Sequence, residues 1–268
     1  MKNLLPFLLL IFLLSCSNNN SLEKKGFQVN EILEDETGEK ILGLKIDSLT
    51  LQTQPRNVLR TKNPSHRLTP IYKINYNKKT KKPFIGSNEF HSNYWGFVYN
   101  EPNNNYNDNN WNYNFMPGFE AVYGYNFVNI SHYNNETKQE NRFFDTPVLI
   151  RTLYYPALSK DTLNGTPIVR SFHMVSAYDE DTNKDGYINA KDLRRFYHFD
   201  INGIKQAALV PQNYSVMNSE YDPQNDFMYV FAKLDKNENG KMEYEEPIYV
   251  FWIDLKNPVN RGRQFEGK

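Results

Sequence analysis

The sequence predicts a mostly β fold, and three observations carry that expectation. Aromatic residues are abundant, with 19 Tyr and 18 Phe, and these types favour strands. From Ile41 onward, apolar runs of strand length alternate with clusters of Asn, Gly, Pro and Lys. Apolar spacing of helical period does not extend beyond one or two turns.

The chain opens on a different kind of segment. Met1-Lys2-Asn3 gives a positive start, and Leu4 to Leu14 is an apolar run broken by Pro6. That run is too short for a membrane span and reads as the core of a signal peptide over 1–15. It ends in Leu13-Leu14-Ser15-Cys16, and Cys16 is the one cysteine of the chain. These four residues resemble the lipobox of bacterial lipoproteins. The resemblance implies cleavage before Cys16, lipidation of Cys16 and a membrane partnership through the acyl chains. Two or three such chains, at about 0.8 kcal/mol per buried methylene, hold a protein on a bilayer. Ser17 after the cysteine resembles the outer-membrane sorting pattern, on the periplasmic or the surface face. Residues 16–40, beginning Cys16-Ser17-Asn18-Asn19-Asn20-Ser21, read as the lipid site and a polar tether.

Residues 41–268 are expected to form a single β-rich domain, since the roughly 250 residues that follow the signal peptide are enough for one substantial domain. Lys plus Arg equals Asp plus Glu at 31 each. A near-zero charge implies no general affinity for nucleic acid.

A repeat runs through the C-terminal half. Asp181 aligns with Asp235, Asp192 with Glu246, Phe199 with Ile253 and Asp200 with Asp254, at a constant offset without a gap. Each copy reads as strand, acidic loop, strand, turn and short strand. Tyr214 to Tyr221 adds a fourth strand in front of the second copy. Weaker relatives lie at Ile71–Ile85 and Phe127–Phe144. One four-stranded antiparallel unit cannot bury both faces alone, so copies must pack on one another. The expected architecture is propeller-like, with a β-sandwich as the alternative. The run of aromatic strand, Asp-x-Asn-Gly turn and Lys-containing strand also resembles TolB-type and WD40-like propeller blades.

The two acidic loops carry the chemistry. The first reads D-T-N-K-D-G-Y-I-N-A-K-D, Asp181 to Asp192; the second reads D-K-N-E-N-G-K-M-E-Y-E-E, Asp235 to Glu246. Calcium takes six to eight oxygen ligands at about 2.3–2.6 Å, and alternate side chains of a tightly wound loop converge to supply them. Both loops resemble EF-hand calcium loops, the first its dockerin variant, with Asn at the ninth position and Asp at the twelfth. The resemblance implies two Ca²⁺ sites. The ligands in the first are Asp181, Asn183, Asp185, the Tyr187 carbonyl, Asn189 and Asp192. In the second they are Asp235, Asn237, Asn239, the Lys241 carbonyl, Glu243 and Glu246. Gly186 and Gly240 make the sharp turns, while Ile188 and Met242 are expected to pack inward. Pro247 after the second loop lacks an N–H and discourages the usual exiting helix, so both loops are expected between strands.

Other signals are weaker. Trp95, Tyr106, Trp111 and Tyr113 lie in or beside an Asn-rich stretch that reads as a long surface loop, with a sugar-binding platform as the alternative. The five histidines show no metal spacing, and those on strands, His132, His173 and His198, read as packed or surface residues. No nucleophile elbow, phosphate loop, zinc-protease helix or dinucleotide fingerprint is present. The sequence therefore points to a lipid-anchored, calcium-binding envelope protein that resembles lipoproteins known as EF-hand-domain proteins. A non-catalytic binding or scaffold module, with a glycan, peptide or envelope-protein partner, is the first expectation. A carbohydrate-active or other hydrolytic enzyme on a propeller-like fold is the second.

Overall fold

The computed structural model describes residues 26–28, 51–85, 116–124, 126–158 and 160–265, together with the main chain of 31–34, 40–43 and 90–92. Cys16, Trp95, Tyr106, Trp111 and Tyr113 lie outside the described residues. Among those described, the protein is all β, with antiparallel sheets and no helix.

Three sheets dominate. The middle one has six strands in the order Lys205–Ala208, Arg195–Asp200, Phe172–Tyr178, Leu149–Pro156, Phe119–Tyr123 and Phe90–Ser92. A five-stranded sheet is built on His66–Lys73, which pairs with Phe127–Asn134, Thr53–Pro55 and Leu59–Arg60; Glu140–Arg142 follows on the far side of Phe127–Asn134. The third sheet is the up-and-down set Tyr214–Asp222, Phe227–Leu234, Ile248–Asp254 and Arg261–Phe265.

The middle sheet is covered on both faces, which its strand Phe172–Tyr178 shows residue by residue. All seven of its positions are buried. Successive side chains point to opposite faces of a sheet. Phe172 and Met174 accordingly join a core with Phe196 and with Met228, Val230, Ala232, Phe251 and Ile253 of the four-stranded sheet. Val175 and Ala177 join a second core with Tyr197 and Phe199 and with Leu68, Tyr72, Phe127 and Ile130 of the five-stranded sheet. A strand buried on both faces does not alternate apolar and polar residues; this one reads Phe-His-Met-Val-Ser-Ala-Tyr, with one buried polar residue on each face, His173 and Ser176.

The repeat expected from the sequence is present as two consecutive four-strand runs. Leu149–Pro156, Phe172–Tyr178, Arg195–Asp200 and Lys205–Ala208 form the first, and the four-stranded sheet is the second. In each, the acidic loop joins the second strand to the third. The first run is extended by two further strands, so the units are not uniform. No closed propeller is found among the described residues; the sheets stack as layers.

One buried ion pair ties the middle sheet to the four-stranded one. The Arg170 guanidinium donates to both carboxylate oxygens of Asp226 at 2.8 and 2.7 Å, to the Leu255 carbonyl at 2.6 Å and to the Pro117 carbonyl at 3.0 Å. Tyr221 adds a hydroxyl donor to Asp226 at 3.1 Å.

Candidate metal centre

Each acidic loop closes a hairpin. Ala177 is paired with Arg195 beside the first loop, and Lys233 with Ile248 beside the second. The winding between these fixed ends is set by left-handed residues at matching places. Lys184 (φ 57°) and Glu238 (φ 56°) hold the fourth position, and Gly186 (φ 84°) and Gly240 (φ 71°) hold the sixth.

The side-chain oxygens organise the two loops alike. Asp181 accepts from the amides of Asp185 (3.0 Å) and Gly186 (2.8 Å), and Asp235 accepts from those of Asn239 (3.1 Å) and Gly240 (2.9 Å). Asn183 Oδ1 takes the Asp185 amide at 2.9 Å, and Asn237 Oδ1 takes the Asn239 amide at 3.1 Å. Asp185 accepts from Tyr187 N and Asn239 from Lys241 N. The closing carboxylates match in taking the ninth-position amide and differ by one residue in the donor they take from the start of the loop. Asp192 accepts from the amides of Asn189 (2.8 Å) and Asn183 (3.3 Å), while Glu246 accepts from those of Glu243 (2.9 Å) and Lys236 (3.2 Å). The ninth-position side chains reach back across the loop. Asn189 Nδ2 donates to Asp185 at 3.4 Å, and Asn237 Nδ2 donates to Glu243 at 2.9 Å.

The series Asp181, Asn183, Asp185, Tyr187, Asn189 and Asp192 is thus wound into one loop, and Asp235, Asn237, Asn239, Lys241, Glu243 and Glu246 into another. Asn189, Asp192, Asp235 and Glu246 are buried. Burial raises the Asp192 carboxyl to about 6, and the nearby Asp181 and Asp185 carboxylates add to the effect. Among the described residues no three His, Cys, Asp or Glu side chains are gathered as around an ion. The carboxylate oxygens are turned onto the loops' own amides. The donor set also includes amide oxygens and one main-chain carbonyl per loop, all hard oxygens of the kind calcium takes.

The loops touch each other. Thr182 donates its hydroxyl to the Gly240 carbonyl at 2.6 Å and accepts the Leu193 amide at 2.8 Å. Gly240 has no room for a side chain, because a Cβ there would collide with the Thr182 carbonyl.

The eighth positions differ. Ile188 is buried (5% exposed) in a cluster with Phe27, Ile71, Val128, Leu149 and Tyr178. Met242, expected to point inward, is 46% exposed. The second loop is fixed at its exit instead, where the buried Lys233 ammonium donates to the carbonyls of Glu243 and Tyr244. With that anchor on the main chain, Met242 is not required as a plug.

The sequence missed several partners. Thr182 and Lys233 are ordinary types whose roles depend on contacts across the fold. The strand Phe27–Gln28, within the stretch read as tether, pairs with Tyr187–Ile188; Gly26-Phe27 inside polar chain is its only local signal. His66 and His132 are buried and share a hydrogen bond of 2.7 Å between Nδ1 and Nε2.

Comparison with protein-family models gives no match, and comparison with curated proteins gives no relative.

Proposed function

We propose that this chain is a calcium-binding, lipid-anchored protein of the bacterial cell envelope, acting as a non-catalytic binding or scaffold module in which calcium is a structural ion. The observation that carries the reading is the matching pair of loops. Two segments with ligand residues at the same spacing share their left-handed positions and most of their amide-to-side-chain hydrogen bonds, and each sits between the second and third strands of its unit. An acidic turn kept only for solubility has no reason to repeat that detail. Bound calcium would neutralise Asp181, Asp185 and Asp192 in one loop and Asp235, Glu243 and Glu246 in the other. Both loops join paired strands, so they lack the helix pairs that sensor proteins open on binding. The ion would therefore brace the sheets rather than switch them.

The metal is tested by equilibrium dialysis with calcium and elemental analysis, where two ions per chain are expected and none would contradict the reading. The anchor is tested by Cys16→Ser in cells. That change should move the protein from the membrane fraction to the soluble one and abolish acyl labelling. Unchanged membrane retention without acyl label on the wild type would remove the lipoprotein reading.

A further inference from the structure

One short segment from the start of the chain lies on the first loop, and no described segment lies on the corresponding part of the second. Phe27 is paired with Ile188 and Gln28 with Tyr187 in an antiparallel bridge. Tyr187 is the residue whose carbonyl stands in the ligand series, so the segment braces the main chain at that ligand. Phe27 is 6% exposed and packs in the same cluster as Ile188. The Gly26 carbonyl accepts the Lys73 ammonium at 2.8 Å, which ties the segment to the five-stranded sheet as well. Gly26 itself is left-handed (φ 55°), and a Cβ there would collide with the Ile188 carbonyl and crowd Asn189 Cβ. The approach is close enough to require glycine. In the second loop the matching residues Lys241 and Met242 are exposed, and no described strand pairs with them.

We propose that Gly26–Gln28 is a clasp on the first loop, so that docking of this segment and calcium binding at Asp181–Asp192 strengthen each other while the second loop binds independently of it. The inference rests on the calcium reading above and adds a regulatory link to it. Linkage is reciprocal: if the docked segment raises the loop's affinity for the ion, the ion raises the segment's occupancy of the loop by the same factor. The proposed lipid site, Cys16, lies upstream on the same stretch.

The test uses the chain with Cys16→Ser, so that it is soluble, and calcium as the probe. Calorimetric titration should resolve two sites. Phe27→Ala and Gly26→Ala should each weaken one of them about tenfold, within the usual range of coupling factors, and leave the other unchanged. Hydrogen exchange in a peptide covering residues 26–28 needs no clasp variant and guards against misfolding of those two. Calcium should slow exchange there in the parent chain and in Asp235→Ala, but not in Asp181→Ala. Two unaltered sites in both clasp variants, or exchange at 26–28 indifferent to calcium in a parent chain that binds two ions, would overturn the clasp alone. A parent chain that takes up no calcium would overturn the clasp and the functional reading together.

Discussion

Asp226→Asn should be among the most destabilising single changes in the fold, although it removes no carbon. Asp226 is 0% exposed and Arg170 is 4% exposed. Their paired hydrogen bonds join the middle sheet to the four-stranded one. Asp226 is left-handed (φ 60°), a conformation asparagine tolerates well, so the substitution adds no backbone strain. It leaves the Arg170 guanidinium buried without its counter-charge. Breaking one side of a buried pair costs about 3–5 kcal/mol, because the remaining charge stays desolvated. At about 2–4 °C per kcal/mol for a domain of this size, the melting temperature should fall by roughly 10 °C. Replacing both partners by Arg170→Met with Asp226→Asn removes the stranded charge and should recover part of that loss. The assay is calorimetric melting of wild type, the single variants and the double variant. An Asp226→Asn melt within a degree or two of wild type, or a double variant showing only the sum of the singles, would refute the reasoning.

Acid should weaken the fold well above the carboxylate range. Burial pushes His132 down to about 4, with the His66 charge next, and pushes His173 down to about 3; His66 is lowered too, again mainly by burial. These groups stay neutral in the native state while the unfolded chain takes up protons below about 6.5. Their stabilisation is present above that value and lost as pH falls from there toward about 4. At ~1.4 kcal/mol per pH unit, His132 alone should cost about 2 kcal/mol by pH 5. Urea midpoints at pH 7 and 5 measure it; His132→Asn should flatten the slope, and equal wild-type midpoints would contradict the account. Gly240→Ala should cost more than Gly165→Ala, by about 1–3 kcal/mol. Both glycines are left-handed, but only Gly240 meets the main chain of the other loop, at Thr182, whereas Gly165 faces open space. Equal denaturation midpoints for the two variants would show that the loops are not in contact.

The strands and loops were legible in the sequence because their signals are local. Tyr214 to Tyr221 and Phe227 to Leu234 announce themselves by composition and flanking turns, and the acidic loops by the spacing of Asp, Asn and Gly. Their placement between strands followed from Pro247 and the flanking apolar runs. The layers were only partly legible. A run such as Phe172 to Tyr178 marks a strand but does not say which sheets cover its two faces. The contacts that distinguish the loops were beyond reach for the same reason. Phe27 meets Ile188, Arg170 meets Asp226 and His66 meets His132 only once distant segments pack, and single residues of common type carry no mark of such partners. Met242 shows the converse failure. An apolar residue in the plug position invites an inward reading, and Lys233, which holds the loop's exit, removes the need for it.

Calcium-dependent melting tests the central claim most directly. An ion that binds only the folded state adds RT ln(1 + [L]/Kd), about 2.7 kcal/mol per site at a hundredfold excess over Kd. For two sites in a domain of this size that corresponds to roughly 10–20 °C between saturating calcium and chelator. Asp181→Ala and Asp235→Ala should each remove part of the difference, and the double variant nearly all of it. Superimposable wild-type melts in calcium and in chelator, with no metal found by elemental analysis, would contradict the account.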